Sequence, residues 1–392
     1  FLFSLSFSFL TTYPPTMDKM EKKKITKIVA ASVAFLFLAI VFSYHQNFCG
    51  ISYPPPNFSP SSPPPAVLVT GASRGVGKDI AIHLAESGFV VFAGVRKTED
   101  GVKLVTEYHN QVGDDKKNRI RPLHLDVTEH DDVDRTYQAI NAMDVAKEIA
   151  FHGIVHNAAV IEGGPMESLA SYKVEKVIDV NFRAPILLTH AFLPLLRHRQ
   201  GRVVFVSSLG EIMPFGFHGP YEATKRGLSA FADLLRREMN PFKVYVGAVL
   251  PGLMETDMFY QAMDEHTVGE ALPGELNEIY KDFYSEEACE YRRKYLYNLV
   301  HDPRECSEAV LHSLTSSTPH TSYLVGPHAI AGKMFRLLPD WFLDRQAQVL
   351  FWPGPLNWGW LQTDSSIVLL LSLIFLLSLF SVFFCGLVQL FS

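Results

Sequence analysis

Short apolar runs alternate with amphipathic stretches through the middle of the chain. The runs begin at Ala66 ("AVLVT") and Val90 ("VVFAGV") and recur as "IRPLHLDV" (120–127), "GIVHNAA" (153–159), "RVVFVSS" (202–208), "KVYVGAVLPG" (243–252) and "SYLVG" (322–326). Each is short, rich in β-branched residues and bounded by turn formers, so each predicts a strand. Between the first two, Ile80, Ala81, Leu84 and Ala85 mark one helix face, and Gly88 closes that helix. Helical segments separate the remaining strands. The order predicts an α/β fold over residues 66–345: a doubly wound, Rossmann-like parallel sheet of about seven strands.

Two apolar runs are of a different kind. Ile28–Tyr44 follows Lys19, Lys22, Lys23, Lys24 and Lys27, and 366–391 carries no charge. The second is long enough to span or enter a bilayer. The first reads as an uncleaved signal anchor, with a cleaved signal peptide as the competing reading, since no small-x-small site follows it. Lysines before the anchor place the rest of the chain on the luminal side. Residues 1–27 form an N-terminal region, of which 1–16 read as sequence upstream of a start at Met17 or Met20. Residues 45–65, with "SYPPPNFSPSSPPP", read as a stiff polyproline spacer carrying a sequon at Asn57. Terminal membrane helices thus flank one domain.

Composition narrows the chemistry. A net charge of -6 without a dense basic tract in the domain excludes nucleic acid as a partner. Cys49, Cys289, Cys306 and Cys385 show no metal-ligand spacing, and a Cys289–Cys306 pairing stays open. His152 and His156 stand four apart inside a strand-like run, which removes the helical metal-site reading. No metal is expected.

The glycines fall at the first strand-to-helix turn. Gly71 permits the tight turn, Gly75 lets backbone approach a pyrophosphate, and Gly77 lets helix and strand pack closely. The helix N-terminus, with Val76 in its first turn, then faces the phosphates. An acidic residue at the end of the second strand would select NAD. Here Arg96 and Lys97 follow Val95, and Ser73 and Arg74 lie in the glycine turn, which argues for NADP(H) over NAD. The strand ends carry Asp126, Asn157, Ser207, Ser208, Pro251 and Gly252, where ligands of such sheets bind. Tyr221 and Lys225 stand one helical turn apart at the start of an amphipathic helix.

With these motifs assembled, the chain resembles the short-chain dehydrogenase/reductase family. The match runs through TGASRGVG (70–77), LDV (125–127), NAA (157–159), DVNF, VSS (206–208), Y-x-x-x-K and PGLMET (251–256), with Ala159 where many members carry glycine. The resemblance implies a catalytic tetrad of Asn181, Ser208, Tyr221 and Lys225, with Ser208 preferred over Ser207 for standing thirteen residues before Tyr221. It places Asp126 and Val127 near the adenine, Asn157 beside the ribose and Thr256 at the nicotinamide carboxamide. Asn181 would anchor a water, with support of a helix bend as its alternative role. Lys225 would favour the Tyr221 phenolate, because an ammonium within several Å lowers a phenol's pKa.

Residues 318–344 look like the closing segment of the hydroxysteroid, retinol and 3-hydroxybutyrate dehydrogenase branch, and "FAGVR" looks like its NADP-using hydroxysteroid members. The aromatic insertion after Gly252 is expected to form a substrate lid. The partners expected are a lipophilic small molecule, the bilayer and optionally a second copy of the chain as a homodimer. An NAD-dependent 3-hydroxybutyrate dehydrogenase and a catalytically idle, membrane-tethered binding protein are the alternatives.

Overall fold

The computed structural model describes residues 51–112, 118–212, 217–265, 274–281 and 300–326, with a few single positions and short pieces between 284 and 336. The segments 28–44 and 366–391, together with Cys49, Cys289 and Cys385, lie outside the described residues. Among those described, no helix is long and apolar enough to cross a membrane.

The seven predicted strands form. They are β1 Pro65–Thr70, β2 Val90–Val95, β3 Ile120–His124, β4 Ala150–His156, β5 Arg202–Val206, β6 Tyr245–Pro251 and β7 Ser322–Val325. Every pairing is parallel, in the order β3-β2-β1-β4-β5-β6-β7. Strands β1, β2, β5 and β6 are buried along their whole length, as the apolar letters on both faces require of a sheet covered twice. Helices α1 (Gly75–Glu86), α2 (Thr98–Gln111), α3 (His130–Val145), α4 (Ser171–Ile178), α5 (Ala184–Arg199) and α6 (Gly219–Met239) make the crossovers. Beyond β6 come α7 (Asp257–Glu265), α8 (Glu275–Tyr280) and α9 (Pro303–Thr315).

The main core joins Leu68, Phe92, Ile154 and Phe205 of the sheet to Ile140 of α3, Phe192 of α5 and Leu228 of α6. On the other face α9 packs on α1, whose predicted stripe Ile80, Ala81, Leu84 and Ala85 is fully buried. Burial of each such Ile or Leu contributes about 1.5–3 kcal/mol.

A register shift opposite Ala66/Val67 leaves His152 as an extra residue in β4. This explains why two histidines of equal strand parity bond opposite ways. The His152 ring meets the Leu314 carbonyl on α9, whereas His156 bonds Thr189 of α5 at 2.8 Å and stacks on Phe205. A one-residue bulge reverses the facing of the residues before it.

The spacer reading of 45–65 needs correction from Tyr53 onward. Tyr53 is buried; its N–H donates to Ser317 O (2.8 Å), its hydroxyl to Asn240 Oδ1 (2.9 Å), and its ring meets Tyr245 edge-on. Arg202, fully buried at the start of β5, donates to Pro54 O (3.0 Å) and to Ser313 O (2.7 Å). Phe58 packs edge-on against Phe89. Three aromatic or cationic anchors therefore hold the proline-rich stretch against the domain.

Candidate active site

The chain reverses its winding direction between β1 and β4, which opens a crevice at their carboxyl ends. Thr70 and Asn157 stitch its floor. Thr70 Oγ1 accepts from the N–H groups of Asn157 and Ala158, both at 3.0 Å, and Asn157 Nδ2 donates to Thr70 O and Gly71 O at 3.1 Å. Asn157 thus spends its amide on shaping the glycine turn.

The turn itself has no room for side chains. Gly71 and Gly75 have φ of +66° and +55°. A Cβ at Gly71 would lie 2.7 Å from Ala158 Cα, and one at Gly77 would lie 2.2 Å from Asn157 Nδ2 and 2.3 Å from Gly71 O. The β1–turn–α1 unit is therefore a backbone cradle leading into a helix N-terminus, which suits an anionic diphosphate.

From this cradle a cavity of about 600 Å³ runs across the strand ends. Gly71, Ser73, Arg74, Gly75, Val76 and Gly77 line it on one side, with Arg96, Asp126, Val127 and Asn157. Arg74 and Arg96 are exposed on its rim, whereas Lys97 is not on its wall. Asp126 turns its carboxylate back on Thr128, accepting from that residue's N–H (3.0 Å) and hydroxyl (2.7 Å). The residues fit a nicotinamide dinucleotide: glycine backbone and a helix N-terminus for the phosphates, with two arginines on the rim.

Ser208, Tyr221, Lys225, Pro251 and Gly252 line the other end. Tyr221 lies in the first turn of α6 and Lys225 one turn on, so both face the cavity. Ser208 Oγ hydrogen-bonds toward Tyr221 and also accepts from Gly210 N–H (3.1 Å). Ser207 points elsewhere, to Glu211 and the Lys225 carbonyl. The two serines, adjacent in sequence, are thereby separated in role. Thr256 stands 3.4 Å from where a Gly75 Cβ would be, closing the cavity over the glycine turn.

Lys225 Nζ donates to Val206 O at 2.9 Å and lies 5.6 Å from the Tyr221 ring centroid. Burial dominates both groups. It pushes Tyr221 up to about 12, against the Ser208 hydrogen bond and together with Glu222, and pulls Lys225 down to about 8, against Glu211 and Cys306.

Asn181 lies behind the cavity wall. It is fully buried in a π-helical turn (Asp179–Arg183). Its Oδ1 accepts from Val160 N–H and its Nδ2 donates to Val160 O, both at 2.8 Å. The side chain braces the loop after β4 against the helix bend.

Two wall residues escaped the sequence reading. His218 and Glu222 are buried, line the cavity and stand one helical turn apart beside Tyr221. Their i, i+4 spacing was the available signal. Of the lid, Met258, Phe259 and Ala262 of α7 reach the cavity, Phe259 and Tyr260 pack against Tyr297, and Tyr280 of α8 donates to Glu167 (2.6 Å).

A family model described as short chain dehydrogenase matches residues 65–267. The mitochondrial D-beta-hydroxybutyrate dehydrogenase of Bos taurus is 34% identical over 265 residues, covering 66% of this chain and 76% of that protein. Retinol dehydrogenase 5 of Mus musculus is 30% identical over 298 residues, 72% of this chain and 90% of that one. Estradiol 17-beta-dehydrogenase 2 of Rattus norvegicus is 34% identical over 234 residues, 58% and 55% respectively. A solved short-chain dehydrogenase from Streptomyces avermitilis superposes with a TM-score of 0.56 at 26% identity, covering 74% of this chain and 96% of that one.

Proposed function

The chain belongs to the short-chain dehydrogenase family, an oxidoreductase acting on hydroxyl or carbonyl groups, and we propose that it is a membrane-anchored enzyme using NADP(H) on a lipophilic alcohol or carbonyl such as a steroid, retinoid or related lipid. One observation carries this reading. A single cavity has the glycine cradle with Arg74 and Arg96 at one end, and Ser208, Tyr221 and Lys225 at the other.

The bound nicotinamide supplies or accepts the hydride. Arg74 and Arg96 hold the 2′-phosphate by charge-assisted hydrogen bonds. Ser208 donates to the substrate oxygen and stabilises its developing charge. Tyr221 gives that oxygen a proton in reduction and removes it in oxidation. Lys225, as an ammonium, lowers the cost of the phenolate once it turns from Val206 toward the reacting groups. Asn181 keeps the adjoining loop in place. The apolar side chains of α7 suit a lipophilic substrate, as do the apolar ends of the chain.

The similarity to the hydroxybutyrate dehydrogenase favours a second reading, an NAD-dependent enzyme of small hydroxy acids. Affinities for NADPH and NADH, followed by retinoids, steroids and hydroxy acids assayed with both cofactors, separate the two. A full chain that binds neither cofactor and turns over none of these substrates would sink both. The proposed location is the endoplasmic reticulum with a luminal catalytic domain. Protease digestion of that domain in sealed microsomes without detergent would reverse the orientation.

A further inference from the structure

Behind the cavity lies a half-buried carboxyl group that the mechanism does not use. Glu211 Oε2 accepts hydrogen bonds from Ser207 Oγ and Ser229 Oγ. Ser207 follows β5, Glu211 ends the turn Leu209–Glu211, and Ser229 lies on α6 one turn beyond Lys225. Ser207 Oγ also reaches the Lys225 carbonyl at 3.2 Å. One carboxyl therefore ties together the strand end bearing Ser208 and the helical turn bearing Lys225. A buried carboxylate is costly unless it is hydrogen-bonded and charge-paired. Here two hydroxyls supply the bonds.

We propose that Glu211 is a positioning residue: its carboxylate clamps the Ser207–Ser208 strand end onto the α6 turn that bears Lys225 and sets the charge surroundings of that lysine. The proposal rests on the reading of Lys225 as part of the proton-handling centre. The surrounding charges support it. Burial lowers the proton affinity of Lys225, and Glu211 and Cys306 oppose that fall. Cys306, from α9 and near Asp79, is itself pushed up to about 12 and stays a neutral thiol, so Glu211 is the group that acts on Lys225 by charge. Tyr221 and Glu222 share the helix with Lys225, and His218 stands just before it; all three line the same cavity. Glu211 in turn is faced by Asp233 of α6 and by Lys333. Burial raises its pKa, whereas Ser207, Ser229 and Lys225 lower it.

The test uses the purified full chain in detergent. Reductive methylation of Lys225 in the cofactor-free protein, followed by mass spectrometry across pH, gives the lysine's titration midpoint without turnover. The pH profile of kcat/KM gives the second readout. Glu211→Gln, which keeps the shape and removes the charge, is expected to lower the Lys225 midpoint by about half a unit or more. It should move the alkaline limb of kcat/KM down by the same amount, with a loss of about three- to tenfold at pH 9 and under about twofold at pH 6.5. Glu211→Asp keeps the charge at a greater distance, so its midpoint should fall between the two, and it carries the test if the glutamine variant does not fold. An unmoved Lys225 midpoint, or an equal loss of kcat/KM at every pH, overturns the proposal. A wild-type chain without cofactor binding or turnover would instead sink the enzymatic reading, and the methylation midpoints would still report the coupling.

Discussion

Lys225 Nζ lies 5.6 Å from the ring centroid of Tyr221, yet it donates to the Val206 carbonyl at 2.9 Å. The two groups are neighbours without being an ion pair; burial keeps the phenol neutral, while Lys225, pulled down to about 8, remains an ammonium at neutral pH. Proton transfer then depends on the phenol itself. Tyr221→Phe is expected to lower kcat by about 10²- to 10⁴-fold. NADPH affinity, read by fluorescence quenching, should change only a few-fold. A Tyr221→Phe variant that leaves the protein's function in cells unchanged would favour the idle, membrane-tethered reading.

Gly77 tests the cradle. A methyl group there would overlap Asn157 Nδ2 and Gly71 O, and the second of these is backbone. Gly77→Ala is expected to destabilise the fold by about 1–3 kcal/mol, as overpacking does. It should also weaken cofactor binding more than tenfold, because the loop must move away from the site of the phosphates. Urea unfolding and NADPH titration check the two effects.

Arg96 tests the choice of cofactor. Hydrogen bonds to charged groups contribute about 1.5–3 kcal/mol each. Arg96→Glu removes one and adds repulsion, so NADPH affinity should fall by roughly 10- to 100-fold or more, with NADH affinity unchanged or improved. Equal losses for both cofactors would place Arg96 away from the 2′-phosphate.

His152 and His156 set an acid limit on stability. Burial pulls them from 6.5 down to about 4 and about 3. The native protein therefore refuses protons that the unfolded chain accepts. Their contribution is fully present above pH 6.5 and is lost as pH falls toward the native values, by at most about 1.4 kcal/mol per histidine per pH unit. The urea midpoint should drop between pH 7 and 5. In His156→Gln, which retains an acceptor for Thr189, that drop should shrink; an unchanged slope would refute the assignment.

The sheet was legible because parallel strands covered on both faces read as apolar runs, as β1, β2, β5 and β6 do. The edge strands β3 and β7 are only partly buried and were marked by their turn formers. Strand ends were less legible. Leu125 to Val127, Asn157 to Ala159 and Ser207–Ser208 continue the apolar runs but leave the ladder, since Asp126, Asn157 and Ser208 bond nearby backbone instead. Tyr221, Lys225 and the glycines could be found because their chemistry fixes their spacing. Glu211, His218 and Glu222 could not, since their importance depends on which residues α6 brings beside them. The docking of Tyr53 was equally hidden, because proline content is local information and its partners Asn240 and Ser317 are distant in sequence.

That docking has a practical consequence. A soluble version cut at Ala66, where the first apolar strand begins, would discard Tyr53, Pro54 and Phe58. Tyr245 and Arg202 would open to water and Phe89 would lose its cover, so the shortened protein should express poorly and melt early. A truncation beginning at Ile51 keeps these contacts, so a shortened domain is better begun before the prolines than after them.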